Sequence, residues 1–149
     1  MNSPVKELLI DNLELLQKSV VYLDYSFNHC KSIGIKTKYT MSELNEFEAL
    51  SGRFSRSSDI LTQKVLKSLF IYIQEDAVFF IDRCNLAEKM GLVKSAEDLF
   101  NIRQLRNKIS HEYSNAEISD ILSPLLEYSV ILLATIHNIN EYTISLTSD

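Results

Sequence analysis

Ser95-Ala96-Glu97-Asp98-Leu99-Phe100-Asn101-Ile102-Arg103-Gln104-Leu105-Arg106-Asn107-Lys108-Ile109-Ser110-His111-Glu112-Tyr113 is the stretch that decides the fold. A serine followed by two acids marks a helix start, because orphan amides and the positive end of the helix dipole favour both. Leu99, Ile102, Leu105 and Ile109 then recur every three or four residues, the signature of one buried helical stripe. Beside the stripe the segment is polar: Arg103, Arg106, Asn107, Ser110 and His111. On an ideal helix Asn107 and His111 stack one turn apart, with Arg103 one turn earlier. Arg106 stands about 100° around from Asn107, which its long side chain can partly bridge.

The same pattern continues outward. Residues 4–32 carry Val5, Leu8, Leu9, Leu13, Leu16, Val20, Leu23 and Phe27 at helical spacing, with Ser3 as N-cap, Pro4 at the first helical position and Gly34 as terminator. A polar connector, 34–41, leads into Thr40-Met41-Ser42-Glu43, which fits a capping box. The spacing of Leu44, Phe47, Leu50, Phe54, Leu61, Val65 and Leu69 predicts one second helix to about residue 72. Its other face carries Arg53, Arg56, Asp59, Lys64 and Lys67. Residues 68–73 are strand-like in composition but continue the helical pattern, and no partner strand is evident. A turn near Gln74-Glu75 and a helix over 76–90 ended by Gly91 follow. After His111 a last helix is expected from about Asn115 or Ala116. Pro124 should kink or split it, and Leu125, Leu132, Leu133, Ile136 and Ile139 form its stripe.

These elements make an all-α, up-down bundle of about five helices in a single domain over residues 1–149. Composition agrees: 46% of residues are apolar and 23% charged, while three Gly and two Pro are too few for a turn-rich β fold. No apolar run approaches the roughly 18 residues of a membrane span, and the N-terminus lacks a signal peptide's apolar core. The expected location is the cytoplasm, with no membrane partner, where Cys30 and Cys84 are most simply packed, reduced thiols. No metal-ligand spacing, P-loop or dinucleotide fingerprint is present, so neither a metal nor a nucleotide cofactor is expected.

The net charge of −5 argues against a general nucleic-acid coat, but the charge is uneven. Residues 31–67 carry seven Lys/Arg against four acids, residues 101–113 three against one, and residues 116–149 five acids and no Lys or Arg. A basic face on an acidic protein can still steer a phosphate-bearing ligand. Arg106 can grip two phosphate oxygens with its fork, and His111 can take and return a proton near neutrality. The same residues are also what a helix C-terminus favours for its dipole, so on their own they leave both readings open. His29 and His137 lie far from this segment in sequence and read as ordinary surface or packed histidines.

Arg106-x-x-x-x-His111-x-Tyr113, with Asn107 as the polar residue after the arginine, resembles the signature of the HEPN superfamily, specifically its HepT-like toxins. The lead-in over residues 86–113 and the second helix with Phe54, Arg56 and Asp59 look similar too. The likeness covers most of residues 5–143, more loosely in the first helix. It implies a homodimer in which two copies of the motif form a composite cleft that cuts RNA without a metal. His111 and Arg106 would be catalytic, with Asn107 and Asp59 in support. It also implies an antitoxin of the MNT nucleotidyltransferase type, which can transfer AMP to the motif tyrosine, here Tyr113. The alternative is a non-catalytic HEPN partner, the substrate-binding subunit of a nucleotidyltransferase.

Overall fold

The computed structural model describes residues 3–112 and 118–148. Helix α1, Pro4–Ile33, starts where its cap places it: the Ser3 hydroxyl accepts the Lys6 amide at 3.1 Å, and Pro4 needs no donor there. It stops at Gly34, whose φ of 76° lets its amide reach the Cys30 carbonyl. Both arms of the Thr40–Glu43 capping box are made at the start of α2, Met41–Asp59. A π-helical turn, Ile60–Val65, and α3, Leu66–Tyr72, continue the same rod. Helices α4, Phe80–Lys89, α5, Ala96–Glu112, and α6, Ile118–Thr147, complete the fold. No strand occurs among the described residues, so the strand-like segment 68–73 is helical through Tyr72.

The first two rods run antiparallel. Going down α1, Ser26 bonds Arg53, Ser19 bonds Ser57, and Asn12 bonds Ser68, so one numbering falls as the other rises. The core between them holds Leu9, Leu16, Leu23, Phe47, Leu50 and Phe54, each 1% exposed or less. Leu8, which the periodicity assigns to the stripe, is 52% exposed; its neighbour Leu9 takes the inward position. Helix α5 packs on α2, α4 and α6, and buries the four residues of its stripe. Helix α6 is long and apolar enough by composition to cross a membrane, but Leu125, Leu132, Ile136 and Ile139 are sequestered inside the bundle. Pro124 lies within α6 without dividing it.

The π-turn is the main departure from the uniform helix expected over residues 43–72. On uninterrupted α-helix, Leu66 and Phe70 would sit about 120° and 160° from Phe54, outside any single stripe. A turn with i→i+5 bonding, seen in the Leu66 amide reaching the Leu61 carbonyl, inserts the equivalent of one residue. Everything after it rotates by about 100°. Leu66, Leu69 and Phe70 are thereby buried together with Leu61 and Val65. Helix α4 also begins later than expected, because Phe79 is extended and offers no side-chain cap.

Gln74 closes α3 with a φ of 62°, the one positive value outside glycine among the described residues. Its amide reaches Ile71 and the next amide reaches Phe70, so the left-handed conformation serves to end the helix. A side chain there costs about 1–2 kcal/mol, partly offset by the smaller entropy that glutamine loses on folding. Gln74→Gly should therefore raise stability by about 0.5–1 kcal/mol, seen as a higher denaturant midpoint at unchanged m-value. A lower midpoint would show that the strain is absorbed elsewhere.

Candidate functional site

Asp59 is the last residue of α2, directly before the π-turn, and its carboxylate crosses to α5. Arg106 Nε donates to Oδ1 and Nη2 to Oδ2, both at 2.8 Å, in a two-pronged fork. Nη1 donates to the Ser110 hydroxyl at 3.0 Å, one turn further along α5. The hydrogen bonds to Asp59 push the Arg106 pKa up, against the smaller downward effect of burial. The side chains are 29% and 45% exposed, so the pair contributes about 1 kcal/mol at most after solvent screening. Three of the five guanidinium N–H groups are used, and one on each terminal nitrogen remains for an anion.

Arg106 and Ser110 edge a groove of about 370 Å³ between α2 and α5. Glu48, Gly52 and Ser55 line one wall, and Arg106, Ile109 and Ser110 the other. Ile109 is buried and forms an apolar footing, while the Ser55 hydroxyl is buried without a hydrogen-bond partner among the described residues. Sequence reading did not single out Glu48, Gly52 or Ser55. The available signal was Gly52 itself, a glycine in mid-helix where it costs about 1 kcal/mol relative to alanine.

The broad polar surface expected on α5 divides. Arg103 turns to α4 and lies over the Phe80 ring, 4.4 Å from its centroid. Arg106 turns to α2. Asn107 and His111 are exposed, and His111 makes no side-chain hydrogen bond among the described residues. Five residues apart, Arg106 and His111 leave the helix about 140° apart and about 7.5 Å along its axis. One chain thus brings together Arg106, Asp59 and Ser110, with His111 on a different side of the helix end. Tyr113 lies outside the described residues.

The remaining candidates stand elsewhere. His29 is exposed, 3.9 Å from Glu46, and His137 lies on exposed α6 surface. Cys30 and Cys84 are free and buried; burial pushes each thiol up to about 11, which makes both poor nucleophiles at neutral pH. No family model, curated protein or solved structure matches this chain.

The Asp59–Arg106 fork is open to a double-mutant cycle. Asp59→Ala and Arg106→Ala should show a coupling of about 0.5–1 kcal/mol in unfolding free energy, shrinking as salt is raised. Strictly additive losses would mean that the fork contributes nothing to stability.

Proposed function

We propose that this chain is an RNA-cleaving toxin of the HepT-like HEPN type, acting as a homodimer. The observation that carries the reading is Arg106, fixed by Asp59 and Ser110 with two donors left over, beside a groove and on the same helix end as the exposed His111. An arginine so held loses little further entropy on binding a phosphate, which makes it a pre-organised electrostatic clamp.

The chemistry needs a base, an acid and charge stabilisation around one linkage. His111 takes the proton of a ribose 2′-hydroxyl, and the oxygen attacks the adjacent phosphorus. The bond from phosphorus to the 5′-oxygen breaks, and that oxygen takes a proton from His111 of the second copy. The products are a 2′,3′-cyclic phosphate and a 5′-hydroxyl end, and no metal enters the balance. Arg106 stabilises the negative charge that builds on the non-bridging oxygens. Asn107, exposed one turn before His111, orients the phosphate or the imidazole, and Asp59 acts by positioning Arg106. The divergence of Arg106 and His111 within one chain supports a composite site, where each imidazole meets the other copy's guanidinium.

A second reading rests on the same fork. Asp59 already occupies one edge of Arg106, as in a purely structural ion pair, and this favours a non-catalytic partner subunit of a nucleotidyltransferase. The two separate in one assay. Purified dimer should cut single-stranded RNA in the presence of EDTA and leave cyclic-phosphate ends. His111→Ala and Arg106→Ala should each lower the rate by about 10²–10⁴ while remaining folded. Absence of cleavage by the wild type, with no growth arrest on expression, would leave the partner-subunit reading.

In the toxin reading the partner is an MNT-type nucleotidyltransferase, which silences the site by joining AMP to the Tyr113 oxygen with release of pyrophosphate from ATP. A bulky anion two residues from His111 repels RNA. Incubation with that enzyme and ATP should add the mass of AMP to the wild type and leave Tyr113→Phe unchanged. Equal labelling of both would remove Tyr113 as the acceptor.

A further inference from the structure

A second and larger trough, of about 490 Å³, runs between α1 and α2 on the other side of the Gly52 row. Its cationic rim is Lys18, Arg53 and Arg56, against one carboxylate, Glu48. The ion pairs among the described residues are His29–Glu46, Lys36–Glu43 and Arg106–Asp59, so none of the three rim cations is neutralised. Tyr22, 59% exposed, stands in the trough with the Arg53 guanidinium 5.4 Å from its ring centroid. Arg53 is held in turn by the Ser26 hydroxyl, so the ring is braced on one side and open on the other.

Gly52 and Glu48 line both this trough and the Arg106 groove. At Gly52 an added Cβ would meet nothing within 4 Å, so the crest of α2 is bare where the two depressions meet. A flexible strand can pass from one to the other over the Gly52 backbone, beside the Glu48 carboxylate that lines both.

We infer that the α1–α2 trough is a binding track for single-stranded RNA, with Tyr22 as a base-stacking platform and Lys18 and Arg56 as phosphate contacts, leading over Gly52 into the Arg106 groove. The inference rests on the nuclease reading for its direction, and on its own observations for binding. Unneutralised cations beside an aromatic face, in an otherwise acidic protein, are the chemistry by which single strands are held without sequence preference. A duplex is excluded as the occupant, because its bases are already stacked and cannot reach Tyr22.

The test separates track from chemistry. The full chain is titrated with a fluorescent 12-nucleotide RNA whose 2′-O-methyl groups prevent cleavage, and cleavage is followed in parallel on that RNA's unmodified form and on a dinucleotide. Lys18→Gln/Arg56→Gln should weaken binding of the 12-mer about tenfold or more. It should also lower the slope of log K against log salt by about 1.4, at roughly 0.7 per lost contact. Tyr22→Ala should weaken binding about tenfold. Dinucleotide cleavage should be unchanged in both variants, since a dinucleotide does not reach the trough. Unaltered 12-mer affinity and salt slope in the variants would overturn the track and leave the nuclease standing. Wild-type protein that binds the 12-mer through these residues but cuts neither substrate would keep the track and remove the nuclease. Equal affinity for a 12-base-pair duplex, or for polyglutamate, would overturn single-stranded RNA as the occupant.

Discussion

The carboxylate of Asp59, gripped by both prongs of one edge of the Arg106 guanidinium, ties the second rod to the fifth helix at the point where the backbone changes its hydrogen-bonding step. Two requirements meet there. The core needs the rod rotated by about one residue after Ile60, so that Leu66 and Phe70 turn inward. The polar groove needs an anion at the end of α2 to hold a guanidinium that would otherwise sample many rotamers. A π-turn answers the first and leaves Asp59 on the exposed shoulder for the second. Such turns are enriched at functional sites because the widened backbone re-aims neighbouring side chains.

Several helix ends were legible because local chemistry sets them, whereas the start of α4, expected near residue 76, lies at Phe80 where no side chain caps it. Ser3 with Pro4, Thr40 with Glu43, and glycines 34 and 91 all act within four residues of sequence, and all are found in those roles or at those boundaries. The buried stripes of α5 and α6 were legible for a similar reason, all but the half-buried Leu133, since a uniform 3.6-residue period projects onto one face. The π-turn was not legible, because periodicity analysis assumes a constant step. Its trace was present in the pairs Ile60/Val65 and Leu61/Leu66, five apart where three or four were expected. Within the site, the sequence pointed to both Asp59 and Arg106, but their contact spans 47 residues and depends on how α2 lies against α5. Gly52 and Ser55 were missed because small residues carry no chemistry that a motif would record; their importance is the space they leave.

Arg106 illustrates how one contact can serve structure and chemistry together. A guanidinium that is free in solution gives up rotamer entropy when it binds a phosphate, roughly 2 kcal/mol for the whole side chain. Bonding to Asp59 and Ser110 moves part of that cost into folding. The fork lowers the net positive charge at the site, which weakens long-range attraction, yet the two remaining donors keep their direction. The arrangement favours recognition at short range over steering from a distance, and steering falls to groups outside the groove.

Those groups are the unneutralised cations of α1 and α2, and their effect does not depend on the sign of the whole molecule. At physiological salt a charge is screened within about 8 Å, so a strand approaching the protein responds to the local rim and not to the sum. Among the described residues, the α6 acids Asp120, Glu127 and Glu141 contribute no side chain to either depression, whereas Lys18, Arg53 and Arg56 edge one and Arg106 the other. The one carboxylate common to both depressions, Glu48, sits beside the bare glycine and disfavours an anion that rests there. In the proposed track a strand would be held on either side of that point and would only cross it, with the crossing nucleotide free to adjust its backbone.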